Sequence, residues 1–293
     1  MAITITNIAS LHAQLYLYNA TTMADTAMKR LATGLRINSA KDDPAGLQIA
    51  NRLTAQINGY RQANRNTADG QALAQTFEGA LDESVNMLQK IRTLAVQAAN
   101  GTYTSFDREA IQAEADALAD EVTRIAEQTK FGGKTILLGT NSTMFEKGML
   151  TLQVGAYSGD EITVDLTQSF RLQDIYDSLP NNNNSVANGH FTLSTAEGAK
   201  NVLADIDAMI GVVNSKRGEI GALQTRLDSV MRNNENMAVN LADARSRIQD
   251  TDYAAESANL MRASIMQQAS LSMLMQANAR SNIILQLING SLI

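Results

Sequence analysis

Leu73-Ala-Gln-Thr-Phe77-Glu-Gly-Ala-Leu81-Asp-Glu-Ser-Val85-Asn-Met-Leu88-Gln-Lys-Ile91-Arg-Thr-Leu94 carries an apolar residue at every third or fourth position. That period returns side chains to one face of an α-helix. Upstream, Ile49, Leu53, Ile57 and Tyr60 extend the pattern. It begins at Asp43-Pro44, where a carboxylate can cap and a proline suits the first turn. Downstream, Asn100-Gly101 is a sound stop, because either residue tolerates left-handed geometry. A helix from Pro44 to about Ala99 would be about 85 Å long at the usual rise. A small domain cannot cover such a helix, so it needs partner helices.

The rest of the chain supplies them. Ile8, Leu11, Leu15 and Tyr18, then Met28, Leu31 and Leu35, recur at helical spacing, predicting a helix from Ile3 to about Leu35. Asn38 and Ser39 mark a turn before the long helix. A third helix is expected from Ser105, read as its cap, to about Thr129, with Ile111, Ala115, Leu118, Val122 and Ile125 on its face and Phe131-Gly132-Gly133 after it. Residues 149–156 and 161–166 alternate apolar with polar around Tyr157-Ser-Gly-Asp160, a β-hairpin pattern. Asn181 to Ser185 reads as a polar, flexible loop. Ser194-Thr-Ala-Glu197 fits a capping box. The helix behind it carries Val202, Ile206, Met209, Val213, Ile220, Leu223 and Leu227 and runs to about Ile248. Gln249-Asp-Thr-Asp252 breaks it. A last helix spans about Ala254 to Ile288, with Leu260, Ile265, Leu271, Leu274, Ile284 and Leu287. The expectation is a mainly α chain: a long antiparallel helical bundle with a small β-hairpin region and both termini at one end.

Composition agrees and excludes several classes. The chain has 293 residues, no Trp, no Cys and two Pro, with 4% aromatics. Few rings are available to anchor a dense core, and two prolines hardly limit helix length. The net charge of −6, with basic residues interspersed, argues against nucleic-acid binding. No run of 18 apolar residues suggests a membrane span. The first residues lack the basic and apolar regions of a cleaved secretory signal. Without cysteine there are no disulfides or thiolate sites. His12 and His190 are the only histidines, and neither sits in a catalytic or zinc motif. Asp42-Asp43 reads most simply as a helix N-terminus, where acids are favoured. No cofactor, metal or catalytic residue is expected. The last helix is apolar on too many sides for one neighbour to cover, a pattern that fits either an interface or the core helix of a bundle. A repeated contact between unlike surfaces that does not close gives a helical filament.

Ile3-Thr-Ile-Thr-Asn-Ile-Ala-Ser-Leu-His-Ala-Gln14 and the stretch from Arg30 to Leu53 resemble the N-terminal signature of bacterial flagellins. Ser246-Arg-Ile-Gln-Asp-Thr-Asp-Tyr-Ala-Ala-Glu256 and Gln276-Ala-Asn278 resemble the matching C-terminal pattern. The likeness covers about residues 1–175 and 195–290, in order. It implies a structural subunit, not an enzyme, that polymerises into the flagellar filament for motility. Residues 1–42 and 254–293 would pair as a terminal coiled-coil domain in the filament core. Residues 43–253 would form a helical rod domain with the hairpin at about 149–166. Only about residues 167–193 remain for an insert, too short for a separate outer domain. Ile8, Leu11, Leu15, Leu31, Leu35, Leu260, Ile265, Leu271, Leu274, Ile284 and Leu287 would carry self-assembly. The chain ends Leu285-Gln-Leu-Ile-Asn-Gly-Ser-Leu-Ile293, longer and more apolar than the usual family ending.

The resemblance further implies secretion to the extracellular flagellum through the export apparatus, with a flagellin chaperone, the filament cap and hook-junction proteins as partners. It also implies innate immune recognition of the monomer by Toll-like receptor 5, through Gln89, Lys90, Arg92, Leu94 and Glu114. Lys90 stands where arginine is usual, replacing a planar donor with a point charge. The competing readings are a hook–filament junction protein and a coiled-coil secretion chaperone.

Overall fold

The structure is a computed structural model. It describes the backbone of residues 6–145, 147–180, 183, 185–187 and 189–290, with side chains as far as residue 279. Six α-helices are described: α1 (Ile8–Thr33), α2 (Pro44–Ala98), α3 (Ser105–Gln128), α4 (Leu172–Asp177), α5 (Ala196–Gln249) and α6 (Tyr253–Gly290). Three antiparallel strand pairs accompany them: β1 (Lys130–Phe131) with β2 (Lys134–Thr135), β3 (Met149–Gln153) with β4 (Glu161–Asp165), and β5 (Val186–Ala187) with β6 (His190–Phe191). Packing divides the chain into two units, Met1–Gln56 with Val239–Ile293, and Ile57–Ala238. The division falls inside α2 and α5.

In the second unit, α2 and α5 run antiparallel. Gln71 donates to Asp228, Gln224 to Glu78, Arg217 pairs with Asp82 and Arg92 with Asp207. As numbers rise along α2 they fall along α5. Leu73, Phe77, Leu81, Val85, Leu88 and Ile91 are buried, as the period predicts, and Leu94 is half-buried. Ile111, Ala115, Ala119, Val122 and Ala126 of α3 share their core with Val202, Ile206, Met209, Val213 and Ile220 of α5. The α2–α3 turn is closed by Arg108, whose guanidinium donates to the carbonyls of Ala98 and Asn100.

Several local expectations shift by one residue. Thr104, not Ser105, caps α3, and its capping box with Asp107 satisfies two backbone donors reciprocally. Thr195, not Ser194, meets the first turn of α5 by accepting from the Gly198 amide. Gly132 and Gly133 do more than follow a helix. Both take positive φ, +57° and +81°, the geometry of a two-residue hairpin turn, and join β1 to β2. Helix α4 and the β5–β6 pair lie within the stretch of about residues 167–193 left for an insert. Within the 181–185 stretch, Asn183 and Ser185 are described. They are not loose: the buried Asp205 carboxylate accepts from the Asn183 backbone and side-chain amides and from the Ser185 hydroxyl.

The β3–β4 hairpin lies on the helices because they make room and supply donors. A Cβ at Gly70 would sit 2.6 Å from Leu152 Cδ1, so any larger residue there would push the leucine side chain aside. Asn66 of α2 donates to the carbonyl of Gln153 at 3.2 Å, and Asn234 of α5 to the carbonyl of Val154 at 2.7 Å. Two consecutive carbonyls at the end of β3 are thus held from two helices. At the far end, Lys216 donates to the carbonyl of Asp165 and pairs with Glu219. Asn234 is buried, so Asn234→Leu strips a dry carbonyl of its donor. The expected cost is about 1–3 kcal/mol, read as a lower urea midpoint with faster hydrogen exchange confined to residues 149–165.

In the first unit, the link between α1 and α2 is stitched to the link between α5 and α6. Gly34 closes α1 in left-handed geometry and donates to the carbonyl of Arg30. Leu35 bridges to Asp250, and the Arg36 amide donates to the carbonyl of Gln249. Asp43 caps α2 through the Gly46 amide, as expected. Asp42, expected at the same helix terminus, instead accepts from the backbone amides of Asn38 and Ser39 and the Ser39 hydroxyl. The Asn38 amide, chiefly, holds the Asp42 carboxyl below the usual range. Thr104 does the same for Asp107, and Thr167 for Asp165.

These three carboxyls bind protons more weakly folded than unfolded. The stability they contribute is complete above the ordinary carboxylate value of about 4 and is lost as pH falls through the lower folded values. We expect the urea midpoint to hold from pH 7 to 5 and decline below about pH 4. Asp42→Asn should flatten that decline for signals from α1 and α6.

Candidate self-assembly surface

Helices α1 and α6 pair antiparallel along their described length. Asn7 donates to the carbonyl of Ala277, Ser10 to Asn278, Gln267 to Thr21, and Arg30 faces Glu256 at 3.6 Å. The residues between them are small. Ala13, Ala20 and Ala27 recur at heptad spacing and are almost fully buried. On α6, Glu256, Ala263 and Ala277 are buried at multiples of seven, with Ser270 half-buried between. A strict seven-residue repeat is the signature of coiled-coil pairing, and alanine lets the backbones approach closely.

That seam leaves many of the large apolar residues nearby exposed. Ile8, Leu11 and Leu15 on α1, and Ile265 and Leu271 on α6, are each about half exposed or more. Tyr16, Tyr18, Met28, Met261, Met273 and Met275 join them. Leu31, Leu35, Leu260 and Leu274 are half-buried. Ile284 and Leu287 lie outside the residues whose side chains are described. Two grooves follow the seam. One, of about 500 Å³, lies over His12, Tyr16 and Met273, and another, of about 260 Å³, over Met23, Met266 and Met273. Burial of such side chains is the main favourable term in association, and within this unit much of it is left unused.

The residues suggested for receptor recognition lie in the other unit. Gln89 and Lys90 are exposed on α2 and line a shallow polar depression with Glu83, Asn86 and Thr93. Arg92 is exposed but bound on two sides by the Asp207 carboxylate, at 2.6 and 3.2 Å. Leu94 packs against the core, and Glu114 is exposed on α3. His12 stacks on Tyr16, and His190 sits 3.5 Å from Asp116 and 3.8 Å from Asp120. Among the described residues no group of three or more His, Asp or Glu is placed to hold a metal, and no helix is long and apolar enough to cross a membrane.

Residues 5–142 match the family model for the bacterial flagellin N-terminal helical region, and residues 203–288 that for the C-terminal helical region. The chain belongs to the bacterial flagellin family. Flagellin A of Vibrio anguillarum is 34% identical to this flagellin over 96% of this chain and 98% of that protein. Flagellin D of Vibrio cholerae is 35% identical over 97% and 98%. Both alignments run over more positions than this flagellin has residues, so both relatives carry residues it lacks. A solved flagellar hook-associated protein from Vibrio parahaemolyticus shares the fold: it is 18% identical with a TM-score of 0.57, covering 71% of this chain and 100% of that one. Membership makes this flagellin a structural subunit of the flagellar filament, outside the cell, and the helical architecture is that of the family.

Proposed function

We propose that this flagellin polymerises through the large apolar side chains that α1 and α6 leave uncovered. One observation supports this above others: the intramolecular seam is built of alanine, while Ile8, Leu11, Leu15, Ile265 and Leu271 stand outside it. In this reading Leu31, Leu35, Leu260 and Leu274 complete the interface, as do Ile284 and Leu287. Residues 1–42 and 254–293 form the filament core. Residues 43–253 form the surrounding rod, with no separate outer domain. Export runs through the flagellar secretion apparatus with a dedicated chaperone, and the growing end meets the filament cap and hook-junction proteins.

The test is seeded elongation followed by electron microscopy, comparing the full chain with one lacking residues 1–35 and 254–293. Growth from the full chain alone is the expected result. A full chain that stays monomeric with flagellin filament seeds present ends the reading that α1 and α6 carry polymerisation, and reopens the junction-protein and chaperone readings.

The free monomer, in the same proposal, is recognised by Toll-like receptor 5 through Gln89, Lys90, Arg92, Leu94 and Glu114. Exposure of Gln89, Lys90 and Glu114 supports it. A receptor reporter assay on purified monomer is expected to respond, and Arg92→Asp with Glu114→Ala to weaken the response. No signal from folded parent monomer removes the claim.

A further inference from the structure

The chain contains thirteen methionines and no cysteine, so thioethers are its only sulfur chemistry. Their distribution is uneven. Met23, Met28, Met261, Met273 and Met275 are 46, 59, 69, 64 and 60% exposed, and all lie on α1 or α6. Met209, inside the other unit, is wholly buried, and Met87 and Met144 pack against its core. Met23 and Met273 also line the grooves along the α1–α6 seam. Most of the exposed thioethers thus lie on the surface already assigned to polymerisation, while Met149 and Met237 are exposed in the other unit.

We propose that these five methionines form an oxidation-sensitive modification site that switches off subunit addition. This rests on the assembly reading above. The reagent class is a two-electron oxygen donor such as hydrogen peroxide. A sulfur lone pair attacks one peroxide oxygen, the O–O bond breaks and an S–O bond forms. Sulfur loses two electrons and the peroxide gains them. The departing hydroxide takes the proton left on the transferred oxygen and leaves as water.

Oxidation turns a flexible apolar side chain into a polar, chiral one. In the free monomer the new oxygen is hydrated and costs little. In a filament contact it must be dried without a designed partner, which is unfavourable. The consequence is directional. Oxidant acts on subunits before they join and spares those whose five thioethers are already covered. Leucine at the same positions keeps the volume and removes the sulfur.

The experiment treats full-length monomer with hydrogen peroxide, maps sulfoxides by peptide mass spectrometry and measures elongation on seeds sheared from filaments of the same chain. We expect conversion at the five sites and elongation slowed at least about tenfold by several dried sulfoxides. Methionine sulfoxide reductases with a dithiol should restore the rate. Each chain is compared with its own untreated rate: the variant carrying Met23→Leu, Met28→Leu, Met261→Leu, Met273→Leu and Met275→Leu has no thioether at the five sites, so peroxide should cause it no further loss. It keeps Met149 and Met237, both exposed elsewhere, as internal controls. In preformed filaments the five sites should oxidise more slowly than in monomer.

Undiminished elongation after the five sites are converted overturns the proposal, as does equal inhibition of the leucine variant. If that variant misfolds, reductase rescue of the parent decides alone, and failure to rescue overturns it. Failure of untreated parent to elongate is a separate outcome that removes the assembly reading instead.

Discussion

A chain carrying Leu11→Asp and Leu15→Asp leaves filament seeds unextended while its own melting barely changes. The two leucines are 54 and 53% exposed and lie one helical turn apart on α1. Within the monomer they contribute little, so two surface substitutions should alter stability by no more than about 0.5 kcal/mol each. In a polymer contact each subunit must instead dry two carboxylates on one face. An unpaired buried charge costs several kcal/mol, so the loss in subunit affinity exceeds roughly a hundredfold. Circular dichroism and urea unfolding check the first half, and seeded elongation the second. Normal elongation would mean that this face of α1 is not a contact.

Phe77→Ala is the converse case, with a large effect on folding. Phe77 is fully enclosed in the second unit and meets Phe170 edge to face, centroids 5.6 Å apart at 88°. Truncation removes most of a ring from a packed core and leaves a cavity, at a cost of about 3–5 kcal/mol. Whole domains are stable by only about 5–15 kcal/mol, so this is a large share. The urea midpoint should fall sharply with an unchanged m-value, since the same surface is exposed on unfolding. A drop below about 1 kcal/mol would mean that the site collapses around the smaller residue.

These two cases also mark what the sequence makes legible. Phe77 was readable because a long helix against a dry core must repeat its large apolar residues every three or four positions, and Leu73 to Ile91 do so. Pro44, Asn100-Gly101 and the alternation of 149–165 placed element ends within a few residues for equally local reasons. Leu11 and Leu15 were read as the apolar stripe of α1, and as residues they are that. What the period did not reveal is that α1 and α6 meet through Ala13, Ala20, Ala27, Ala263 and Ala277 instead. Patterns weighted by size overlook alanine, and a seven-residue repeat of small side chains is quiet beside louder leucines. The Asn66 and Asn234 clamps were invisible for another reason: they join partners 87 and 80 residues apart, and no local pattern encodes that. Thr104 and Thr195 were displaced by neighbouring serines because both residue types cap helices well and only backbone geometry chooses.

The alanine seam joins α1, the earliest of the described helices in chain order, to α6, the latest. A polypeptide released early by the ribosome has the first strip of the docking face and lacks the second. Neither strip alone presents the grooves that run between them. In the assembly proposed above, a copy truncated before α6 is therefore expected to leave filament seeds unextended, because one side of both grooves is missing.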